Sequence, residues 1–337
     1  MVVILKKMAS VFLAVCMLLS LGVVYAEEGN AYFCGFSGSA PGTEWTLNVG
    51  ALKDGTYRLP AGVSTQDVLK LPKPYPADEV IVEYDFKSTG TKMTVYLQNP
   101  KGGSVCRMQQ TSTSMLQLQH GKDDKSGNQN TVITDENFLL NNWYHFKHVI
   151  SYQAEGATSS VYMYKDGALI GSVEDKVYMD PNRYASPTEL QALCFNNTGE
   201  EGSMFLDNLA VYQNDDASSV KVTLASLDIN GGEPVSSNIA LPSAGYNGAA
   251  VSWQSSNSGV ISDDGRVNVP DVQTTVNLTA TVQKGTVTET KIIPVTVLPA
   301  GESPVAANVY YFDFADDTVP TGFTMKNAAA VSGGRVM

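Results

Sequence analysis

The chain has 337 residues, 34 acidic against 22 basic, for a net charge of −12, and 43% of it is hydrophobic while only 17% is charged. That composition excludes a disordered chain, and an acidic balance without any basic block offers phosphate backbones no purchase, so nucleic acid is not an expected partner. The 29 glycines and 15 prolines, with abundant Ser, Thr, Asn and Val, favour short strands joined by turns over long helices, in two or three domains.

The first 26 residues read as an address. Lys6 and Lys7 precede an almost wholly apolar run from Val11 to Val24, and Val24-Tyr25-Ala26 supplies small or aliphatic residues before a cut at Glu27. The run is shorter than the roughly 20 residues of a spanning helix. Residues 1–26 are therefore predicted to be a signal peptide and the protein to be secreted or extracellular, free or associated with the cell surface, with no membrane insertion after cleavage. Of the remaining cysteines, Cys34, Cys106 and Cys194 are odd in number and form no C-x-x-C pair. Neither a disulfide framework nor a zinc site is indicated, and buried free thiols are expected.

Strand-like runs then recur between turn signals from Glu79 to Tyr212. In Val80-Ile81-Val82-Glu83-Tyr84-Asp85-Phe86 the even positions share one apolar face, which predicts a strand with one buried side. Asp166-Gly167 sits between two strand-like runs and predicts a tight hairpin, because both positions tolerate positive φ. Asn142-Trp143-Tyr144-His145-Phe146, the hairpin from Tyr164 to Gly171, and Phe205-Leu206-Asp207-Asn208-Leu209-Ala210-Val211-Tyr212 together resemble laminin-G-like or concanavalin A-like jelly rolls over most of 28–213. That resemblance implies a module that binds carbohydrate or acts as a spacer beside glycan-active domains.

The stretch from Gln213 to Ser219 is polar and small and reads as a linker, as does Pro299 to Pro304. Between them, Val251-Ser252-Trp253-Gln254-Ser255-Ser256-Asn257, Gly259 to Val267, Thr274 to Val282 and Glu289 to Val297 resemble the atrophied bacterial immunoglobulin-like domain over 219–298. Trp253 is expected to anchor its core, Asp264-Gly265 to form a tight turn, and Val276, Leu278, Ala280 and Val282 to point inward. The resemblance implies a structural spacer, without a site of its own. Residues 305–337 are too few for a core. A shift of 278 positions lays Tyr32, Phe36, Thr43, Thr46, Ala51 and Gly55 onto identical residues from Tyr310 to Gly333. The expected fold is thus all-β: an antiparallel jelly-roll sandwich, a small immunoglobulin-like β-sandwich, and an incomplete third module that begins a second, truncated jelly roll.

No catalytic motif stands out. Retaining glycosidases with this implied fold need two carboxylates at E-x-D-x-x-E spacing, but Glu83-Tyr84-Asp85-Phe86-Lys87-Ser88 lacks the second glutamate. No G-x-S-x-G occurs, and His145 and His148 lie on opposite faces of one strand, so they cannot share a metal. Sugar binding uses exposed rings flanked by amides; the candidates are Tyr96, Tyr178 and Tyr184 with Gln98, Gln117 and Gln119, the glutamines projecting onto one solvated, concave sheet face. For the tyrosines core packing is the competing role, and Trp45 and Trp143 are read as core anchors. The jelly-roll resemblance implies a structural calcium held through Asp207, against which stands a strand-edge hydrogen bond. The function these features predict is a secreted, non-catalytic module string that binds polysaccharide. It would form the N-terminal part of a larger glycan-degrading protein with a downstream catalytic domain, a glycoside hydrolase or polysaccharide lyase. The alternative is a surface adhesin or stalk with no glycan-binding role.

Overall fold

The computed structural model describes residues 31–36, 42–53, 55–75, 79–100, 102–122, 127–134, 138–153, 156–177, 179, 190–302, 331–332 and 335–336. Two antiparallel sheets form the N-terminal unit. The first runs, in spatial order, β13 (Ala168–Val177), β12 (Gly156–Lys165), β11 (Tyr144–Gln153), β6 (Glu79–Ser88), β15 (Ser203–Gln213), β4 (Thr56–Pro60) and β3 (Ala51–Lys53), with β1 (Ala31–Cys34) also paired to β15. The second runs β10 (Asn128–Thr134), β9 (Leu116–Gly121), β8 (Ser104–Gln110), β7 (Met93–Gln98), β14 (Leu190–Asn197), β5 (Val63–Tyr75) and β2 (Trp45–Thr46).

Alternation decides which side chains lie between the sheets. Val80, Val82, Tyr84 and Phe86 of β6 are fully buried in the core, facing Val95, Leu97, Leu118 and Leu193 of the second sheet. Strands distant in sequence lie side by side, β6 against β15 and β7 against β14, the connectivity of a jelly roll. The Asp166-Gly167 hairpin forms, both residues at positive φ, joining Lys165 to Ala168.

Trp45 is the core anchor it was expected to be, 5.6 Å from Phe195 in a stacked pair and donating its Nε1–H to the Tyr32 hydroxyl at 3.1 Å. Trp143 is not. It immediately precedes the inward Tyr144, so the pleat turns it outward, and it is 39% exposed. The buried Asp67 carboxylate accepts hydrogen bonds from the backbone N–H groups of Asn48, Val49 and Gly50 and from the Tyr57 hydroxyl, tying the β2–β3 connection to the sandwich.

The C-terminal unit is a small immunoglobulin-like fold on a three-stranded sheet, β16 (Ala250–Ser255), β17 (Thr274–Lys284) and β18 (Val287–Val297). Val276, Leu278, Ala280 and Val282 all point inward and are fully buried. Trp253 packs at the margin of this core rather than at its centre, with its Nε1–H on the Pro242 carbonyl at 2.9 Å. Gly265, at φ +83°, closes the turn opened by Ser262, and a Cβ there would stand 2.2 Å from the Ile239 carbonyl oxygen. Gly265→Ala is therefore expected to cost about 2 kcal/mol, read as a lower urea midpoint at unchanged slope.

The segment from Gln213 to Ser219 is not a linker. Gln213 ends β15, the Asp215 side chain caps the Ser218 N–H at 2.6 Å, and α1 (Asp216–Ser226) follows at once. This helix lies between the two units: Val220 and Leu224 join the immunoglobulin-like core, while Val222 and Ala225 pack on Phe33, Ile81, Ala210 and Tyr212, on the outer face of the first sheet. The expected signal peptide lies outside the described residues. So does the third module, except for a short hairpin of β19 (Val331–Ser332) and β20 (Arg335–Val336). The 278-position shift sets this hairpin within one residue of that between β3 and β4.

Candidate functional site

The outer face of the second sheet carries four of the predicted sugar-binding residues. Met93, Val95 and Leu97 point into the core, so Tyr96 and Gln98 point out; Leu116 and Leu118 likewise turn Gln117 and Gln119 outward. Strand register sets Tyr96 beside Arg107 and Arg107 beside Gln119, with Gln109 beside Gln117 in the adjacent row. All of these side chains are half-buried. Tyr178 and Tyr184 lie outside the described residues.

Arg107 was missed by sequence reasoning. Its guanidinium lies 4.8 Å from the centre of the Tyr96 ring, and its Nε–H reaches the Ser104 hydroxyl at 3.4 Å. The signal was available, since Cys106 and Met108 flank it in an alternating strand whose only charge it is. Gln98 is fixed from the other side by the Cys194 thiol, 3.0 Å from its Oε1. Across the seven strands the only carboxylate is Asp67, which points inward. The face therefore offers one ring, the Arg107 cation beside it, the exposed Lys70 two strands from Gln98, and a row of amides, a set suited to hydrogen-bonding hydroxyls.

The outer face of the first sheet holds a cluster of charged groups, Glu83, Asp85, His145 and Asp207, beside the C-terminal unit. His145 lies between two carboxylates of β6, its Nε2 2.8 Å from Glu83 Oε2 and its Nδ1 2.9 Å from Asp85 Oδ1. The Tyr212 hydroxyl donates to the other Glu83 oxygen, and the Asn208 amide donates to Asp85 Oδ2 at 2.7 Å. Burial alone would lower the His145 pKa, but the hydrogen bonds and charges of Asp85 and Glu83 outweigh it and raise it to about 9, so the ring is an imidazolium at neutral pH. A cleft of about 310 Å³ opens beside Glu83 and His145 and is closed by Leu227, Asp228, Tyr246 and Asn247 of the C-terminal unit.

Glu83 and Asp85 thus serve as partners of His145. Asp207 stands opposite Asp85 in the register, its Oδ1 accepting the Asn208 N–H at 2.7 Å. Burial, reinforced by the Asp85 charge and opposed by that N–H, raises its pKa to about 6. Both Asp85 oxygens and Asp207 Oδ1 are already paired, and among the described residues no three His, Cys, Asp or Glu side chains are placed to hold a metal ion.

The other histidines are built into the sandwich. His148 shares a 2.9 Å hydrogen bond with the Tyr84 hydroxyl, and burial lowers its pKa to about 3, so it stays neutral. His120 contacts the Gly121 carbonyl and the Thr131 hydroxyl. Cys34, Cys106 and Cys194 are free and buried, and burial raises each thiol, to about 11, 12 and 12, which removes thiolate reactivity at neutral pH. Among the described residues no helix is long and apolar enough to cross a membrane.

Residues 213–300 match the atrophied bacterial Ig domain. The match begins at the end of β15 and takes in the whole of α1, six residues earlier than the composition suggested. No curated protein matches the chain. Among solved structures, a sialidase is 13% identical with a TM-score of 0.41, over 56% of this chain and 19% of that one. A xylan β-1,4-xylosidase from Bacillus halodurans C-125 is 12% identical with a TM-score of 0.38, over 56% of this chain and 40% of that one. The catalytic domain of an endo-1,3-β-glucanase (laminarinase) from Thermotoga petrophila RKU-1 is 12% identical with a TM-score of 0.36, over 57% of this chain and 98% of that one. The chain thus spans about a fifth of the sialidase's length and less than half of the xylosidase's.

Proposed function

We propose that the protein is a secreted, non-catalytic glycan-binding module, the N-terminal part of a larger extracellular glycan-degrading protein whose catalytic domain lies downstream. The outer face of the second sheet carries this reading: Tyr96, Arg107 and Gln119 in one cross-strand row, flanked by Gln98, Gln109 and Gln117, with no outward carboxylate among the described strand residues. Amides presented at strand spacing suit the repeated hydroxyls of a polysaccharide, and the ring supplies apolar contact for a sugar face. The immunoglobulin-like unit acts as the spacer that holds this face away from whatever follows.

Affinity electrophoresis of the full chain against plant, algal and host polysaccharides, with and without calcium, tests the reading. One glycan class is expected to retard the protein, and Tyr96→Ala and Gln119→Ala are each expected to weaken that binding about tenfold at unchanged thermal stability. Absence of retardation across the panel would sink it. The second reading, a structural stalk without glycan binding, draws support from the helix shared by the two cores, which makes the described units one continuous body.

A further inference from the structure

At the end of the first sheet left uncovered by the C-terminal unit, four side chains form a single line across the strands. Arg58 of β4 pairs in register with Phe205 of β15, Phe205 with Lys87 of β6, and Trp143 precedes the start of β11 next to Lys87. The order is cation, ring, cation, ring. The Arg58 guanidinium lies 5.6 Å from the Phe205 ring centre, and the Lys87 ammonium lies 4.6 Å from both the Phe205 and the Trp143 ring centres. Arg58 and Trp143 are exposed, and Phe205 and Lys87 are half-buried.

A chain with 34 acidic and 22 basic residues has carboxylates in excess. Yet neither Arg58 nor Lys87 pairs with one among the described residues; Arg58 instead donates its Nε–H to the Ser203 hydroxyl at 3.2 Å. The carboxylates next along this face, Asp85 and Asp207, are held by His145 and Asn208. The rings restrict both cations without neutralising them, and two strand spacings set the charges roughly 10 Å apart. Screening at physiological ionic strength acts over about 8 Å, so the local pair outweighs the negative charge of the molecule as a whole.

We propose that this line is a second binding surface, independent of the amide face on the opposite sheet, and that it takes an acidic polysaccharide bearing uronate or sulfate groups. Arg58 and Lys87 receive successive anionic groups, and the exposed Trp143 ring packs against the sugar between them. Guanidinium and ammonium groups held over rings lose little side-chain freedom on binding, which favours recognition of a repeating polyanion.

The test is a titration of the full chain with polygalacturonate and with its methyl ester, which has the same backbone without the charge. Of the three tryptophans, Trp45 is buried and Trp253 packs against the C-terminal core, so a change of emission on binding reports Trp143. Polygalacturonate is expected to shift the emission and to bind at least tenfold more tightly than the ester, with Lys87→Gln and Arg58→Gln each losing about tenfold. Trp143→Phe is expected to silence the signal while calorimetry still detects binding. Tyr96→Ala, on the other sheet, is expected to leave this binding unchanged. Equal affinity for the ester overturns the proposal, as does binding that ignores both charge substitutions. Binding lost in Tyr96→Ala but kept in Lys87→Gln assigns the acidic glycan to the amide face and overturns it too. None of these results decides whether neutral glycans bind the second sheet.

Discussion

Tyr246→Ala is expected to split a single thermal unfolding transition into two. The Tyr246 ring stands edge-on to Phe33 at 6.1 Å and to Tyr212 at 6.0 Å, and its hydroxyl donates to the Asn208 carbonyl at 3.1 Å. Its own N–H is held by the Thr223 hydroxyl of α1 at 3.0 Å, so one residue ties the immunoglobulin-like unit to both the helix and the jelly roll. Truncating a packed aromatic costs about 3–5 kcal/mol when fully buried, and this half-buried ring is expected to lose about 3 kcal/mol. That loss falls on the contact between the units and spares both separate cores. Tyr246→Phe, which loses only the hydrogen bond, is expected to cost about 1 kcal/mol and keep one transition. A single unshifted calorimetric peak in the alanine variant would show that α1 alone couples the units.

The second large effect is electrostatic and has a definite direction in pH. His145 has a folded pKa of about 9 against 6.5 for an unperturbed imidazole. The folded state therefore binds this proton more tightly, and the stabilisation is complete below pH 6.5 and lost as the pH rises through 9. With its side chain 34% exposed, solvent screening reduces the contribution to about 1–2 kcal/mol. Asp207 acts in the same sense at lower pH: raised from 3.8 to about 6, it penalises the folded state progressively as the pH climbs through that window. Urea unfolding at pH 6, 7.5 and 9.5 is expected to show stability falling at each step. In Glu83→Gln the nearly buried acceptor of both His145 and Tyr212 loses its charge, so stability at pH 6 is expected to drop by about 2 kcal/mol and the slope between pH 7 and 9 to flatten. Equal slopes in the two proteins would remove Glu83 from the account.

Alternation makes most of the sandwich readable in the sequence. Val276 to Val282 and the Asp166-Gly167 turn behave as the pleat requires, because a strand with one wet face writes its orientation into every second residue; Val80, Val82, Tyr84 and Phe86 point inward as expected, but the other face of β6 is not wet, since Ile81 and Glu83 are buried too. The helix was unreadable for the opposite reason. Asp216 to Ser226 is rich in Ser, Thr and Val, poor helix formers, and its apolar residues are divided between two cores, so no single stripe marks a buried face. Trp143 was misread because its apolar neighbours outweighed its position one residue before Tyr144. Arg107 and Arg58 went unnoticed because an isolated cation carries no pattern until register sets it against a ring. The positions of Gln98, Gln117 and Gln119 were legible from alternation; the thiol that fixes Gln98 required the neighbouring strand.

The shared helix also bears on how such a chain can be inherited. Phe33, Ile81, Ala210 and Tyr212 form an apolar outer surface on the jelly roll that α1 and Tyr246 cover. A gene rearrangement breaking the reading frame between 213 and 219 would leave that surface bare on one product and strip the other of Val220 and Leu224, leaving both prone to aggregate. The smallest segment that recombination can move intact therefore runs from β1 through β18, and a shuffled copy of either half would have to bring its own replacement for the helix.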